Sequence, residues 1–255
     1  MERNERWRPA PGGCSISHPR VTAGTLGAYL WLDGKPYIVS NSHVIADSGT
    51  ALIGDEVIQP GSFDGGLAPD DIIGHLSFFV PYKVGEPNNV DLAIAEAVPE
   101  MMDDRILGLE PGTQILEVLP GEPNPNDRVM KSGRTTGLTH GTIVSTDMTL
   151  DVLFPQGMLT FEDCLVILGA SAGGDSGSAI ISSNGDLLGL LFAGDPDHSV
   201  FIACKIGNII NALEQAPLFR NAVPALEVPS MRWGIPLFFG GILAANGLYF
   251  SRRKG

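Results

Sequence analysis

Three side chains, far apart in the chain, have the types that nucleophilic chemistry needs. Ser176 lies in SAGGDSGSAI (171–180), where glycines bracket an Asp-Ser pair just ahead of an apolar run. The plain reading of such a cluster is a surface turn between strands, because glycine adopts φ > 0 without steric cost. The same arrangement suits a nucleophile loop, in which backbone N–H groups around Ser176 converge on a developing oxyanion while its hydroxyl attacks a carbonyl. A serine hydroxyl is a weak nucleophile at neutral pH, so this second reading needs a general base and a group that orients it.

Of the five histidines, His43 has the setting for a base. It follows an apolar run and a polar turn in YIVSNSHVIAD, at a point where a short helix can start at Ser42, so a strand end would present it rigidly. His18, His75, His140 and His198 read as surface or hydrogen-bonded core residues. Asp91 opens the apolar stretch of NNVDLAIAEA, 48 residues after His43. It either caps the preceding Asn-Asn turn or enters the core, and a buried carboxylate is costly unless paired, for which an imidazole N–H is a suitable partner.

The elements that must position these groups are short strands. Between Cys14 and about Val98 the runs TLGAYLWL, PYIVSNSHVIAD, HLSFFVPY and VDLAIAEAV are separated by turn residues. A Pro- and Asn-rich stretch at 119–127 separates them from GTIVS, MTLDVLF, DCLVILG, GSAIIS, DLLGLLFAG and HSVFIACKI. Two β units follow, 14–118 carrying His43 and Asp91, and 126–215 carrying Ser176. Ile206, Ile209, Ile210 and Leu213 have the spacing of one helix face and close the second unit with a short helix. Residues 216–233 form a Pro-punctuated linker, and 234–250 is an apolar run ended by Arg252, Arg253 and Lys254. As a helix that run reaches about 25 Å, the short end of a bilayer span, so it is expected to be a transmembrane anchor, with an apolar helix packed on the β domain as the alternative.

Bulk composition narrows the function class. The 255 residues include 32 Gly and 19 Pro, and 44% are hydrophobic, which suits a turn-rich all-β protein. A net charge of −13 argues against a nucleic-acid partner, which requires a basic surface. Cys14, Cys164 and Cys204 are too few and too scattered for a disulfide scaffold and read as buried thiols, with a Cys164 to Cys204 bridge open if their strands are neighbours. The amino-terminal residues show no secretory signal, so the expected anchor leaves the side of the membrane undetermined. Asp64, Asp70 and Asp71 read as a solvated loop in preference to a calcium site, and Asp195, Asp197 and His198 as a hairpin loop in preference to a metal site.

Taken in order, GTLG, YIVSNSHVIAD, VDLAIA, GRTTG and AGGDSGSAI resemble the trypsin/chymotrypsin-type (PA clan, S1-like) serine peptidases, in particular a bacterial branch without a zymogen amino terminus. The resemblance covers about 14–213 and implies two six-stranded antiparallel β-barrels with the active site between them. It implies Ser176 as nucleophile, His43 as general base and then acid, Asp91 as the carboxylate that fixes the imidazole, and the backbone N–H groups of Gly174 and Ser176 as oxyanion hole. It also places Ala170 at the base and Gly194 on the wall of the primary pocket, which would favour small or apolar side chains before the cut. A peptide or protein substrate, no cofactor and no metal go with it. Secreted members pair the Asp before the serine with an amino terminus freed by cleavage; no such cleavage site is present, so Asp175 needs another partner. The expected function is a membrane-anchored serine endopeptidase. The alternatives are a catalytically silent peptide-binding module and a self-processing protein that cuts its own tail near Val228.

Overall fold

The computed structural model describes residues 1–32, 34–109 and 122–217. Its first half contains β1 (Ala10–Gly12), β2 (Ser15–Ile16), β3 (Gly24–Thr25), β4 (Ala28–Leu32), β5 (Lys35–Ser40), the single-turn helix α1 (Ser42–Ile45), β6 (Glu56–Ile58), β7 (Ile72–Phe79), β8 (Ala93–Ala97) and β9 (Met102–Ile106). In β4 the side chains alternate between buried and half-buried, as expected of a strand with one face on a core. In β5 and β8 almost every residue is buried, because both faces are covered. Leu32 pairs with Lys35 across a tight hairpin in which Gly34 has φ +74, a conformation that glycine adopts without strain.

The second half contains β10 (Arg128–Gly133), β11 (Gly137–Phe154), β12 (Gly157–Gly169), β13 (Ala179–Ser182), β14 (Leu187–Gly194), β15 (Val200–Lys205) and the helix α2 (Ile206–Gln215). These six strands close into a barrel in the order β10-β11-β12-β15-β14-β13. GTIVS and MTLDVLF are parts of one 18-residue strand interrupted by bulges, instead of two strands, because β12 supplies partners along its whole length. The first half is less continuously bonded: β4-β5-β8-β7-β6 form one sheet, while β1 pairs with β9 and β2 with β3. A bridge from Ser17 to Ile58 ties the β2–β3 pair to the larger sheet. β1 and the residues before it extend this half ahead of Cys14.

Apolar side chains gather in three places. One cluster fills the first half, around Ile16, Ile38, Ile45 and Leu76. Another fills the barrel of the second, around Val129, Ile143, Leu165 and Phe201. The largest joins Leu30, Val39, Leu92 and Ile94 of the first half to Phe154, Phe161, Leu190, Phe192 and Cys204 of the second. Apolar burial at that seam, at roughly 25 cal/mol per Å², holds the two halves against each other without a disulfide among the described residues. Ile206, Ile209, Ile210 and Leu213 of α2 all face inward, as their spacing predicts. Among the described residues no helix is long and apolar enough to cross a membrane; the linker 216–233, except its first two residues, and the expected anchor 234–250 lie outside the described residues.

Candidate active site

The register of β5 against β8 builds the first corner of the site. Ser40 pairs with Ala93, so the chain leaving β5 runs directly past Asp91, two residues before β8. Asn41 Nδ2 donates to the carbonyl oxygen of Asp91 at 2.8 Å, and the backbone N–H of Ser42 donates to Asp91 Oδ1 at 2.7 Å. His43 Nδ1 and Asp91 Oδ2 are 2.5 Å apart. Asp91 is fully buried and His43 keeps about a fifth of its side-chain surface, so the imidazole forms the lip and the carboxylate the floor. Because the carboxylate only accepts, the imidazole proton sits on Nδ1 and Nε2 keeps a free lone pair.

Further groups enclose this pair. Tyr82 Oη donates to Asp91 Oδ1 at 2.9 Å, and burial together with the adjacent Asp91 raises the Tyr82 pKa, so the phenol stays a donor. The backbone N–H of Asp91 is 3.1 Å from Cys204 Sγ, across the seam. Phe154, at the end of β11, sets its ring edge-on to His43 at 5.7 Å between centroids. Sequence reasoning missed Tyr82, Phe154 and Cys204, since each reaches the site from another element and has an ordinary apolar neighbourhood in the sequence.

The second corner is the loop carrying Ser176, and it is organised around Asp175. This carboxylate is fully buried and lies 3.0 Å from Lys131 Nζ, whose side chain is equally shielded. The N–H groups of Thr135 and Thr136 donate to Asp175 Oδ1 at 2.9 and 3.0 Å, and the Thr136 hydroxyl and the Ala172 N–H donate to Oδ2 at 2.6 and 3.0 Å. Burial alone would raise the Asp175 pKa; Lys131 and the Thr136 bonds outweigh it and hold the carboxyl below its ordinary value. Lys131 is thus the partner that the sequence left open for Asp175. A signal was present: Lys131 occupies the inward register of β10 beside Val129, where an apolar residue belongs.

Around that anchor the backbone turns sharply. Gly174 has φ +97, and a Cβ there would come 2.5 Å from Thr135 Oγ1; Gly177 has φ +93, and its Cβ would come 2.3 Å from both Ser40 Oγ and the Thr25 oxygen. Only glycine fits either position. The N–H groups of Asp175, Gly177 and Ser178 are taken by Ala172, Leu191 and Asp175 carbonyls, whereas those of Gly174 and Ser176 have no partner among the described residues.

Thr25 joins the corners. Its N–H donates to the Ser176 carbonyl at 2.8 Å and its hydroxyl to the Gly174 carbonyl at 2.8 Å, while its own carbonyl accepts from Ser40 Oγ at 2.9 Å, three residues before His43. The Ser176 loop therefore lies against the strand end that carries His43. The Ser176 hydroxyl itself makes no hydrogen bond among the described residues, so the structure brings His43 and Asp91 into contact and leaves the Ser176 to His43 link unmade.

The remaining sequence candidates fall as follows. Ala170 is exposed, with its carbonyl accepting from Thr139 Oγ1 at 3.0 Å, and Gly194 lies beside Ser171, whose Oγ a Cβ there would approach to 2.8 Å. The sequence suggested a solvated loop for Asp64 and Asp71, and the structure corrects this: Arg134 binds both oxygens of Asp64, and Arg6 and Arg8 bind Asp71 at 2.6 and 3.1 Å. Asp70 is exposed, and its carbonyl accepts from Arg6. Asp195 closes the β14–β15 turn by accepting from the N–H groups of Ser199 and Val200. Cys164 and Cys204 do face each other across β12 and β15, but all three cysteines are free thiols. Burial raises their pKa values, that of Cys164 to about 12.

No known family model matches the sequence, and no curated protein matches it. Solved structures do. Protease A of Thermobifida fusca superposes with a TM-score of 0.58 at 17% identity, over 80% of this chain and 96% of that one. Nocardiopsis protease gives 0.56 at 19% identity, over 80% and 96%, and the chymotrypsin of Cellulomonas bogoriensis 0.55 at 16%, over 79% and 94%. At such low identity the likeness establishes the fold, a chymotrypsin-like double β-barrel, as the sequence resemblance implied.

Proposed function

We propose that this chymotrypsin-like double barrel is a serine endopeptidase that hydrolyses peptide bonds through Ser176, His43 and Asp91. The observation that carries the reading is the buried Asp91 holding the partly exposed His43 by Nδ1, beside a loop whose Gly174 and Ser176 N–H groups have no partner among the described residues. His43 Nε2 takes the proton of the Ser176 hydroxyl as Oγ bonds to the scissile carbonyl carbon. The carbonyl electron pair moves onto oxygen, facing the N–H groups of Gly174 and Ser176. Collapse breaks the C–N bond, His43 returns the proton to the leaving amine, and water repeats the sequence on the acyl-enzyme. The Ser176 to His43 hydrogen bond forms on substrate binding, as catalytic hydrogen bonds are often long in free enzymes. Ala170 and Gly194 lack charge, so the pocket takes small or apolar side chains.

A fluorophosphonate probe tests this on the full chain, with Ser176→Ala and His43→Ala beside it. Labelling confined to the wild type is expected; a folded wild type that never labels would instead make the cleft a peptide-holding module. The anchoring role of 234–250 belongs to the same proposal. Partition of the full chain into detergent, compared with a chain ending at Met231, checks it, and equal solubility would remove the anchor.

A further inference from the structure

We propose that Arg3 is a positioning residue for the Ser176 loop: residues 1–8 form a latch that presses the 131–137 turn onto Asp175, and displacing them switches the site off. The inference rests on the reading of 171–178 as the oxyanion loop.

The guanidinium of Arg3 sits in a slot made from both halves of the molecule. Nη1 donates to Ser132 Oγ at 2.7 Å and to the Gly13 carbonyl at 3.4 Å, and Nη2 donates to the Leu107 carbonyl at 3.0 Å. Its walls are three glycines from three separate segments, Gly13, Gly108 and Gly137, with φ of +83, +86 and +70. A Cβ on any of them would come within 2.9 to 3.2 Å of an Arg3 nitrogen. The slot is thus shaped around this one side chain.

Strand alternation connects the slot to the site. On β10, Ser132 turns its side chain to Arg3, while Lys131 and Gly133 face Asp175, so close that a Cβ on Gly133 would lie 2.4 Å from Asp175 Oδ1. Lys131 Nζ also donates to the carbonyl of Gly137, the same glycine that walls Arg3. One layer of backbone therefore separates Arg3 from the carboxylate that shapes the Ser176 loop. That layer supplies four of the donors to Asp175: Lys131 Nζ, Thr135 N, Thr136 N and Thr136 Oγ1. Elsewhere residues 1–8 are held mainly by polar contacts, such as Arg6 to Asp71 and Trp7 N to Gln59 Oε1, with Trp7 as the apolar anchor. Such a segment can be released without opening a barrel core.

The test compares the full-length wild type with Arg3→Ala and Arg3→Lys by hydrogen exchange of the 171–178 and 132–138 backbone, alongside turnover of a peptide ester. In Arg3→Ala both segments are expected to exchange roughly tenfold faster than in wild type. Turnover is expected to fall about 10- to 100-fold in kcat with KM nearly unchanged, as for lost transition-state stabilisation. Methylguanidinium added to Arg3→Ala should restore part of both. Arg3→Lys keeps the charge but not the fork, should fall between, and carries the same measurement if Arg3→Ala does not fold. Wild-type exchange rates in both segments of a folded variant would overturn the proposal. A wild type that is neither labelled nor active would defeat the peptidase reading alone, since exchange still judges the latch.

Discussion

Asp91 and Asp175 are both fully shielded from solvent, yet their charges are met in opposite ways. Asp91 receives neutral donors, the Ser42 N–H and the Tyr82 hydroxyl, and its remaining oxygen is left to the imidazole of His43. Asp175 has a full counter-charge in Lys131 and donors on both oxygens. A carboxylate whose charge is left partly unmatched can stabilise a cation that forms beside it during a reaction. One already matched by an ammonium can only hold shape. Under the proposed mechanism the first corner accommodates a charge that comes and goes while the second holds shape, and Thr25 ties the two by donating to the Ser176 and Gly174 carbonyls at 2.8 Å and accepting from Ser40 Oγ at 2.9 Å.

The largest effect should come from the first carboxylate. Asp91→Asn keeps the shape but makes the group a donor toward Nδ1, so the imidazole holds the wrong tautomer; kcat is expected to fall about 10⁴-fold, with the urea midpoint changed little. A drop in stability as large as the drop in rate would erase the contrast. Lys131→Met should do the reverse. It strands Asp175 without its counter-charge and is expected to cost about 3–5 kcal/mol in denaturant titration. The added change Asp175→Asn should recover much of that loss, whereas no such rescue is expected at Asp91.

Acid offers a third comparison. The folded pKa of Asp175 lies below its ordinary value of 3.8, so the unfolded chain binds its proton first as pH falls. The stability from this group is complete above the ordinary carboxyl range and is lost as pH drops through the folded value. The wild type should therefore lose more stability than Lys131→Met between pH 5 and about pH 2 in urea titrations; parallel curves would show that the pair is not the acid-sensitive element. The smallest effect is expected from Tyr82→Phe, which removes one neutral donor from Asp91. About 1 kcal/mol of stability should go, together with a modest fall in kcat.

The strands, the helix over 206–215 and the glycines around Ser176 were legible because each is written in neighbouring residues: period-2 burial in AYLWL, period-3.6 in α2, φ > 0 at Gly174 and Gly177. The His43 to Asp91 contact was inferred from residue types and order. Lys131 was visible only as a misfit in an apolar register, and the ion pairs of Asp64 and Asp71 carried no local sign, since an Asp among Gly and Pro reads as solvated wherever the arginines fold. Arg3 gave no signal either, because its slot comes from glycines in three separate segments, at 13, 108 and 137.

The sequence by itself determined the backbone menu: short alternating strands, one closing helix, and two tight glycine turns, all of which depend on interactions within a few residues. The tertiary structure decided which charges meet. Burial removes water as a partner, and a group so deprived must find whatever donor the packing of distant strands brings within 3 Å. That is why the chain announces its serine, while the ammonium behind it and the guanidinium beyond are known only from the fold.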